Sequence, residues 1–467
     1  MTLPHAVVHV QVSIGMGLLF VSGLLGQQNF YQGSVPEGTA SPMPLSLTFD
    51  DAIRRGLKSN LGLLESEQSS QTARAERITA LSVLLPQVTG RLAATDEQSN
   101  LKTVGIGVSP NPFFTIPTIV GPFSYMEAQA NVSAKVLDWT ARRNLKSARA
   151  NEEAARLSVL GSRDLVVQAV ANAYLQVISD ASRVESVKAQ VDTDQALYKR
   201  TVDQRSAGLA AGIDVLRSEV QLKTEQQVLV AARTQFEKDK LALGRIIGFP
   251  PAQVFKLADS APFAEITGIT QEEALRLALA QRPDYQSSKK LVEAAQQTLA
   301  AARAEWYPTV DLNGFYGAAG PRLTTDSHGV FTVTGALNFN IFNGGRIRGD
   351  IGKAKAVLKQ RSDELADQGA QIDVQVRTAF LDLQSASDQF AVARENLVLA
   401  NQTLDQARDR FSAGVTDTIE VVQAQGSVAS ANDNLISALY AHNLAKVELA
   451  RAMGMTEQGV KKYIEVK

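Results

Sequence analysis

The two longest proline-free stretches constrain the fold more than any other feature of this chain. Residues 141–207 and 346–413 contain no proline, and both carry hydrophobic residues at intervals of seven. In the second stretch these positions are Leu383, Phe390, Leu397, Leu404 and Phe411, and the matching positions in the first are Val177, Val184, Val191, Tyr198 and Arg205. Sustained heptads are typical of helices packed lengthwise. Each predicted helix would extend about 100 Å, which is longer than a globular domain uses.

The chain also contains two copies of one unit. The segment "LTFDDAIRRGL" (47–57) aligns with "ITQEEALRLAL" (269–279) at an offset of 222, which also pairs Pro86 with Pro308. Further along, an offset of 206 pairs Gly208 with Gly414, Ile213 with Ile419, Asp214 with Glu420, and Gly248 with Gly454. The difference between the offsets predicts an insertion in the first copy, at residues 102–122, because loops tolerate length changes better than helices or strands do.

These alignments divide the chain into predicted segments. They are a signal peptide at 1–28, a linker at 29–46, a first repeat at 47–248, a linker at 249–268, a second repeat at 269–454 and a tail at 455–467. The apolar run at 14–25 has the length of a signal peptide's hydrophobic region. Only His5 and His9 precede it where a signal normally has Lys or Arg, so a structural role for this run is the alternative.

Each repeat changes from a helical pattern to alternating residues at its proline. Proline cannot donate to the helix ladder and disfavours helix in the residue before it, so Pro86 and Pro308 mark predicted helix-to-strand pivots. The predicted strands are about 87–101, 123–137, 309–319 and 330–341. Such alternation fits a transmembrane β-barrel, although a half-buried soluble sheet alternates in the same way. Four strands cannot close a barrel, so the membrane interpretation requires several copies to share one wall.

The order of these elements resembles the outer membrane factor family, the TolC-like efflux proteins. The resemblance covers about residues 45–455 and depends on "LTFDDAI", "ITQEEAL", the two pivot prolines, "IFNGGRIRGDI" (341–351) and "RFSAGVTDTIEVVQAQ" (410–425). It implies an all-α fold with a membrane β-barrel, built from two tandem repeats. Long antiparallel helices would form a trimeric α-barrel, and four strands per protomer would enter a shared twelve-stranded β-barrel.

The resemblance also implies a function and partners. The chain would be an outer-membrane exit duct with a periplasmic helical extension, serving a tripartite efflux or type I secretion system. It would conduct substrates passively as a homotrimer in outer-membrane lipid. A periplasmic adaptor (membrane fusion protein) and an inner-membrane pump of the RND or ABC type would be its partners.

Family members meet the adaptor through hairpin tips that carry an Arg–aromatic–x–x–Gly pattern. Here Arg410, Phe411 and Gly414 match it, whereas the first copy keeps Gly208 but has Gln204 and Arg205 at the first two positions. Some relatives narrow the closed tip with acidic rings, and the residues expected there are Glu420, Gln423 and Asp214. A single carboxylate ring should attract cations less than a double ring. An ordinary helix-start carboxylate explains Glu420 equally well.

The composition argues against several other classes of protein. The net charge is -1 without a dense basic run, so nucleic-acid binding is not expected. The chain has no cysteine and only four scattered histidines, and it shows no metal, cofactor or catalytic motif. We therefore expect no enzyme, cofactor or lipidated cysteine. The remaining alternative is a soluble periplasmic coiled-coil adaptor, which explains the heptads but not the strands.

Overall fold

The structure is a computed structural model that describes residues 31, 33–104, 117–260, 263–266, 268–416 and 418–463. The predicted signal peptide lies outside the described residues, as do residues 105–116 of the predicted insertion.

The described chain passes twice through the same order of elements. The first pass consists of β1 (Leu45–Leu47), α1 (Phe49–Ser59), α2 (Leu61–Ser82), β2 (Gln87–Asn100), β3 (Ile119–Leu137), α3 (Trp139–Ser206) and α4 (Gly212–Ile246). The second consists of β4 (Phe255–Leu257), α5 (Gln271–Gln281), α6 (Pro283–Ala304), β5 (Thr309–Gly320), β6 (His328–Asn338), α7 (Arg346–Ser412) and α8 (Thr418–Ala452), followed by α9 (Thr456–Tyr463). A short 3-10 helix, Leu101–Val104, follows β2.

A threonine caps the first helix of each repeat. The Thr48 hydroxyl oxygen accepts a hydrogen bond from the backbone N–H of Asp51 at 3.2 Å, and Thr270 accepts one from Glu273 at 3.3 Å. Such caps satisfy backbone donors that have no partner inside the helix. They explain why both repeats begin with a threonine three residues before an acidic residue.

The two proline-free stretches form single helices of 68 and 67 residues, α3 and α7. At 1.5 Å per residue, each is about 100 Å long. The chain reverses after each one, so that α3 packs along α4 and α7 packs along α8. The predicted heptad positions Val177, on α3, and Leu404, on α7, are buried.

The main hydrophobic core lies where α1, α3, α4, α7 and α8 meet, midway along the long helices. Tyr174 is fully buried there, and its ring contacts that of Phe49 edge-on, with centroids 5.2 Å apart. Its hydroxyl donates to the backbone oxygen of Leu47 at 2.9 Å, which joins β1 to α3. Because β1 pairs in parallel with β4, the two predicted linkers each contribute a strand to this region.

Three predicted boundaries differ from the structure. The segment predicted as a tail contains α9, in which Thr456 and Val460 are fully buried. Strand β3 begins at Ile119, four residues before the predicted start at 123. Strand β6 ends at Asn338 rather than near 341, because the Asn340 side chain donates to the backbone oxygen of Glu305 at 2.9 Å and draws the chain toward α6.

The four longer strands form one antiparallel sheet in the order β2–β3–β5–β6. Strands β3 and β5 are its central pair and join the two repeats. Among the described residues, β2 and β6 each have one unpaired edge.

Candidate functional site: hairpin turns and a two-faced sheet

Both helical hairpins turn at a glycine in the left-handed region. Gly208 has φ +73° and Gly414 has φ +70°. The backbone N–H of Gly414 donates to Phe411 at 3.1 Å, and the next N–H donates to Arg410 at 3.0 Å. The first hairpin repeats this pattern, which satisfies carbonyl groups at the helix end. These positions require glycine for backbone reasons, whatever else the turn contacts.

An ion pair crosses the second turn. Arg410 Nε lies 3.5 Å from Glu420 Oε1, and the hydroxyl of Thr416 donates to the other oxygen of the same carboxylate. Arg410 and Glu420 both remain partly exposed. The predicted adaptor-contact arginine and the predicted gate carboxylate are therefore direct partners within one hairpin.

The aromatic residue at this turn is held by a neighbouring helix. The guanidinium of Arg200, on α3, lies 5.8 Å from the centroid of the Phe411 ring. A cation over an aromatic face is attracted by the ring's negative charge density. Phe411 is thus partly buried between the two hairpins rather than fully presented to solvent.

The first turn has different contacts. Arg205 is exposed, and its guanidinium lies over the start of α4, where a Cβ added to Gly212 would be 3.5 Å from Arg205 Cζ. The Asp214 carboxylate accepts a hydrogen bond from the hydroxyl of Thr418, which is fully buried at the start of α8. Arg217 lies 3.5 Å from Asp214 as well. This carboxylate therefore connects the two hairpins.

Asp214 and Glu420 lie on equivalent first turns of α4 and α8, and Gln423 lies on the next turn of α8, but the three face different surroundings. Asp214 is mostly buried, Glu420 is partly exposed and Gln423 is exposed. Three contributors were missed by sequence reasoning: Thr418, Arg217 and Arg200. Their contacts depend on how one hairpin packs on the other, and no motif in the sequence signals that.

The two predicted pivots lie between a helix and a strand in both repeats. Pro86 follows the end of α2 and directly precedes β2, and Pro308 follows α6 and directly precedes β5. The N–H of Tyr307 donates to the backbone oxygen of Ala304 at 2.9 Å, which closes α6 with a tight turn. The long helices and the sheet are joined at these points.

One face of the four-stranded sheet is apolar across every strand. The strand register aligns side chains into rows, and two such rows are Val88–Val132–Gly314–Val333 and Gly90–Ala130–Tyr316–Phe331. The larger side chains of this face point away from the protein, with Leu92 75% and Phe331 74% exposed. A contiguous apolar surface of this kind marks contact with a membrane or another protein.

The opposite face is mostly polar. Rows on it include Gln87–Ser133–Asn313–Thr334 and Thr89–Asn131–Phe315–Thr332. Arg91 Nε lies 3.3 Å from Glu127 Oε1, and Asn338 donates to Asp311 at 2.7 Å on this face. Apolar residues on one face and polar residues on the other are the pattern of a barrel wall between lipid and water.

The described part of the chain holds no group of three or more His, Cys, Asp or Glu side chains arranged as metal ligands. None of its helices is both long and apolar enough to cross a membrane.

Long helical hairpins joined at prolines to a sheet with one apolar face define a channel-type envelope protein. The chain matches the outer membrane efflux protein family at residues 52–249 and 274–455, which is most of its length. It belongs to that family. The protein is an outer-membrane efflux channel with a periplasmic helical extension, and the predicted family is confirmed. The soluble adaptor alternative is therefore wrong.

Curated relatives agree with this assignment. The chain is 24% identical to the pyoverdine export outer membrane protein OpmQ of Pseudomonas aeruginosa over 425 residues, which cover 87% of this chain and 84% of OpmQ. It is 25% identical to the antibiotic efflux pump outer membrane protein ArpC of Pseudomonas putida over 356 residues, covering 72% of this chain and 70% of ArpC.

Solved structures share the fold. The outer membrane protein VceC of Vibrio cholerae aligns with a TM-score of 0.74 at 19% identity and covers 87% of this chain and 96% of its own. The CmeC outer membrane channel of Campylobacter jejuni aligns with a TM-score of 0.75 at 15% identity, and the alignment covers 100% of this chain and 97% of CmeC. At these identities the two likenesses show the shared fold.

Proposed function

We propose that three copies of this chain form the exit duct of a tripartite efflux or type I secretion system. The observation that carries this proposal is the apolar face, which crosses all four strands without interruption while β2 and β6 keep unpaired edges. Unpaired backbone groups are too costly in lipid, so the sheet must close with strands from other copies. Three copies supply twelve strands, with the polar face lining a water-filled lumen.

The long hairpins carry this duct across the periplasm. The α3–α4 and α7–α8 hairpins follow β3 and β6 directly, and α3 and α7 run 68 and 67 residues from the sheet before they turn. Three copies would place six hairpins in a helical barrel. Its tip would meet a periplasmic adaptor through Arg205, Gly208, Arg410, Phe411 and Gly414, and an inner-membrane pump would supply the energy while the duct conducts passively.

Glu420, Asp214 and Gln423 would surround the narrowest part of the closed tip. Three-fold symmetry would bring three copies of each around one axis, and converging carboxylates repel each other. The Arg410–Glu420 pair offsets part of that repulsion within each hairpin. Asp214 is also supplied with donors, by Thr418 and Arg217. The tip is then a paired charge cluster, with less cation attraction than bare carboxylates would give.

The test is single-channel recording in planar bilayers with four proteins: wild type, Arg410→Ala, Glu420→Ala and the double variant. Arg410→Ala should raise the preference for cations several-fold, because it removes the positive partner of Glu420. Glu420→Ala should lower that preference. In the Glu420→Ala background, Arg410→Ala should change selectivity much less, because the pair is already broken.

Lys359→Ala is the matched control, since it removes a cation from an exposed pair with Asp363 on α7, far from the turn. It should leave selectivity unchanged. If all four tip proteins show equal selectivity, Glu420 is a helix-start carboxylate and does not line the pore. If the wild-type protein gives no channels in a bilayer, the duct itself is contradicted.

A further inference from the structure

The contact between α3 and α4 contains two places where the same set of four side-chain types meets between the helices. We call these places crossings. At each crossing, a glutamine and an acidic residue four positions later on α3 face the same pair on α4. The first crossing comprises Gln176, Asp180, Gln235 and Asp239, and the second comprises Gln190, Asp194, Gln221 and Glu225. The crossings lie fourteen residues apart on both helices, or about 21 Å along the hairpin.

At the first crossing the two carboxylates face each other. Gln176 donates to Asp180 Oδ1 at 3.0 Å, and Gln235 donates to Asp239 Oδ2 at 2.8 Å. The carboxyl groups of Asp180 and Asp239 lie within hydrogen-bonding reach of one another. Asp180 is only 3% exposed, and its Oδ2 has no hydrogen-bond partner among the described residues.

The second crossing repeats this arrangement nearer the turn. Gln190 donates to Asp194 Oδ1 at 2.9 Å, and Gln221 donates to Glu225 Oε1 at 3.3 Å. Asp194 is 1% exposed, and its Oδ2 again has no partner in the described part of the chain. At both crossings each glutamine donates to the acidic residue on its own helix, and Gln221 also lies near Asp194. One oxygen of each buried α3 aspartate is left without a hydrogen-bond partner among the described residues.

The surrounding cations do not fill these crossings. The charge of Arg183 lowers the pKa of Asp180, but the Nε of Arg183 pairs with Asp433 on α8 at 2.8 Å. The charge of Arg408, on α7, lowers the pKa of Asp194, but Arg408 lies 3.9 Å from Asp405, with which it pairs. Burial, followed by the neighbouring carboxylate, raises the pKa of Asp180 to about 6, and the pKa of Asp194 rises to about 6 for the same two reasons.

The second hairpin shows that this contact does not need carboxylates. At the offset of 206, the position in the second repeat that is equivalent to each of the four acidic residues holds an alanine: Ala386, Ala400, Ala431 and Ala445. Three of these alanines are buried and the fourth is partly buried in the α7–α8 contact. A buried carboxylate that faces a second, partly exposed carboxylate destabilises a helix pair relative to alanine unless a cation compensates for the charge.

We propose that each crossing binds a hard divalent cation, Ca²⁺ in the first instance, between α3 and α4. The two carboxylates supply the charged oxygens, and the two carboxamide groups supply neutral oxygens once their side chains rotate. Ca²⁺ accepts six to eight oxygen ligands in flexible geometry and keeps water where the protein supplies fewer. Each bound ion would bridge the helices and hold the first hairpin closed, where the second uses alanine packing. This inference is independent of the proposed duct function.

Calcium binding by the full-length protein in detergent, after chelation and dialysis, tests the proposal. Equilibrium dialysis should show two fewer Ca²⁺ ions per chain in the variant with all four acidic residues changed to alanine. Asp180→Ala/Asp239→Ala and Asp194→Ala/Glu225→Ala should each lose one. Because the second hairpin already has alanine at these positions, these variants should fold. Asp382→Ala/Asp388→Ala, which removes two exposed carboxylates from α7, should lose none.

Terbium luminescence gives an independent readout at the first crossing. Burial raises the pKa of Tyr440, and the nearby charges of Asp180 and Asp239 add to this effect. A Tb³⁺ ion bound at the first crossing should therefore be sensitised by this tyrosine. Ca²⁺ should displace the signal, and Tyr440→Phe should reduce it without changing Ca²⁺ binding. Equal Ca²⁺ binding by wild type and the four-alanine variant would overturn the proposal. The proposal would also be overturned if acidification stabilised the wild-type protein and Ca²⁺ did not. In that case the two carboxyl groups at each crossing share a proton.

Discussion

At the scale of single residues, Asp164 is a carboxyl group outside the α3–α4 contact whose pKa is raised by its surroundings. It lies on α3 beside a cavity that Arg282, Asp284 and Arg451 also line. Burial, and to a smaller extent the charges of Glu457 and Asp284, raise the pKa of Asp164 to about 6, although the Thr456 hydroxyl and the charge of Arg451 act in the opposite direction. The native structure therefore favours the protonated acid.

Asp164→Asn should change how stability depends on pH. A raised native pKa means that the contribution of Asp164 is fully present below its ordinary pKa of 3.8 and is lost as pH rises through about 6. The asparagine variant should therefore be more stable than wild type at pH 8, by about 1–2 kcal/mol after allowance for partial exposure. At pH 4 the two should be nearly equal. Unfolding midpoints in detergent at both pH values measure this, and an equal difference at both would contradict it.

Residues that cap or turn the backbone could be predicted from the sequence, whereas residues that meet across the hairpins could not. Thr48 and Thr270 follow from local helix-start chemistry, and Gly208 and Gly414 follow from the need for a positive φ. The bond from Thr418 to Asp214 joins residues 204 positions apart. Its existence depends on the rotation of α8 against α4, which no local pattern encodes.

At the scale of elements, the sequence predicted the long helices and strand faces but not the small elements that join the repeats. Periodicity over nearly seventy residues is a strong signal, and alternation identifies the two faces of a strand. β1 and β4 have three residues each, too few for a period to show. The sequence predicts a tail where the structure has α9, because the eight residues of this helix carry only a short amphipathic pattern.

The strand faces lead to a paired prediction on β3. Val132→Asp should block membrane assembly, because a carboxylate on the lipid-facing side of a barrel strand destabilises it, by about 1–2 kcal/mol near the middle of the bilayer. Asn131→Asp changes the adjacent residue, which lies in a polar row beside Thr89, and should be tolerated. The yield of heat-resistant, membrane-inserted protein measures both.

A second pair on β6 repeats the comparison in the other repeat. Leu337→Asp places a charge on the apolar face and should block membrane assembly. Thr334→Asp places one on the polar face and should leave membrane assembly intact. Asn338→Asp is a poorer control, since Asn338 donates to Asp311 and the change would place two carboxylates together. Equal loss from both members of a pair would mean that the apolar face does not contact lipid.

At the scale of the whole molecule, the open edges of the sheet decide the assembly. The four strands leave one edge on β2 and one on β6 unpaired among the described residues, and they belong to different repeats. An interface that joins the β6 edge of one copy to the β2 edge of the next is head-to-tail, so it must close into a ring or continue indefinitely. Closure removes the edges that would otherwise promote aggregation.

Cysteine cross-linking can count the copies in that ring, because the chain has no native cysteine. Variants with one cysteine on the outer edge of β2 and one on β6, introduced in several registers around Leu92 and Val333, should form disulfides between copies. The products should form a ladder of one, two and three chains that stops at three, since twelve strands close the wall. Ala128→Cys/Ala318→Cys is the matched control: these residues are neighbours across β3 and β5 within one chain, so it should yield monomers alone. A ladder that ends at two chains, or passes three, would contradict the trimeric duct while leaving the lipid-facing sheet intact.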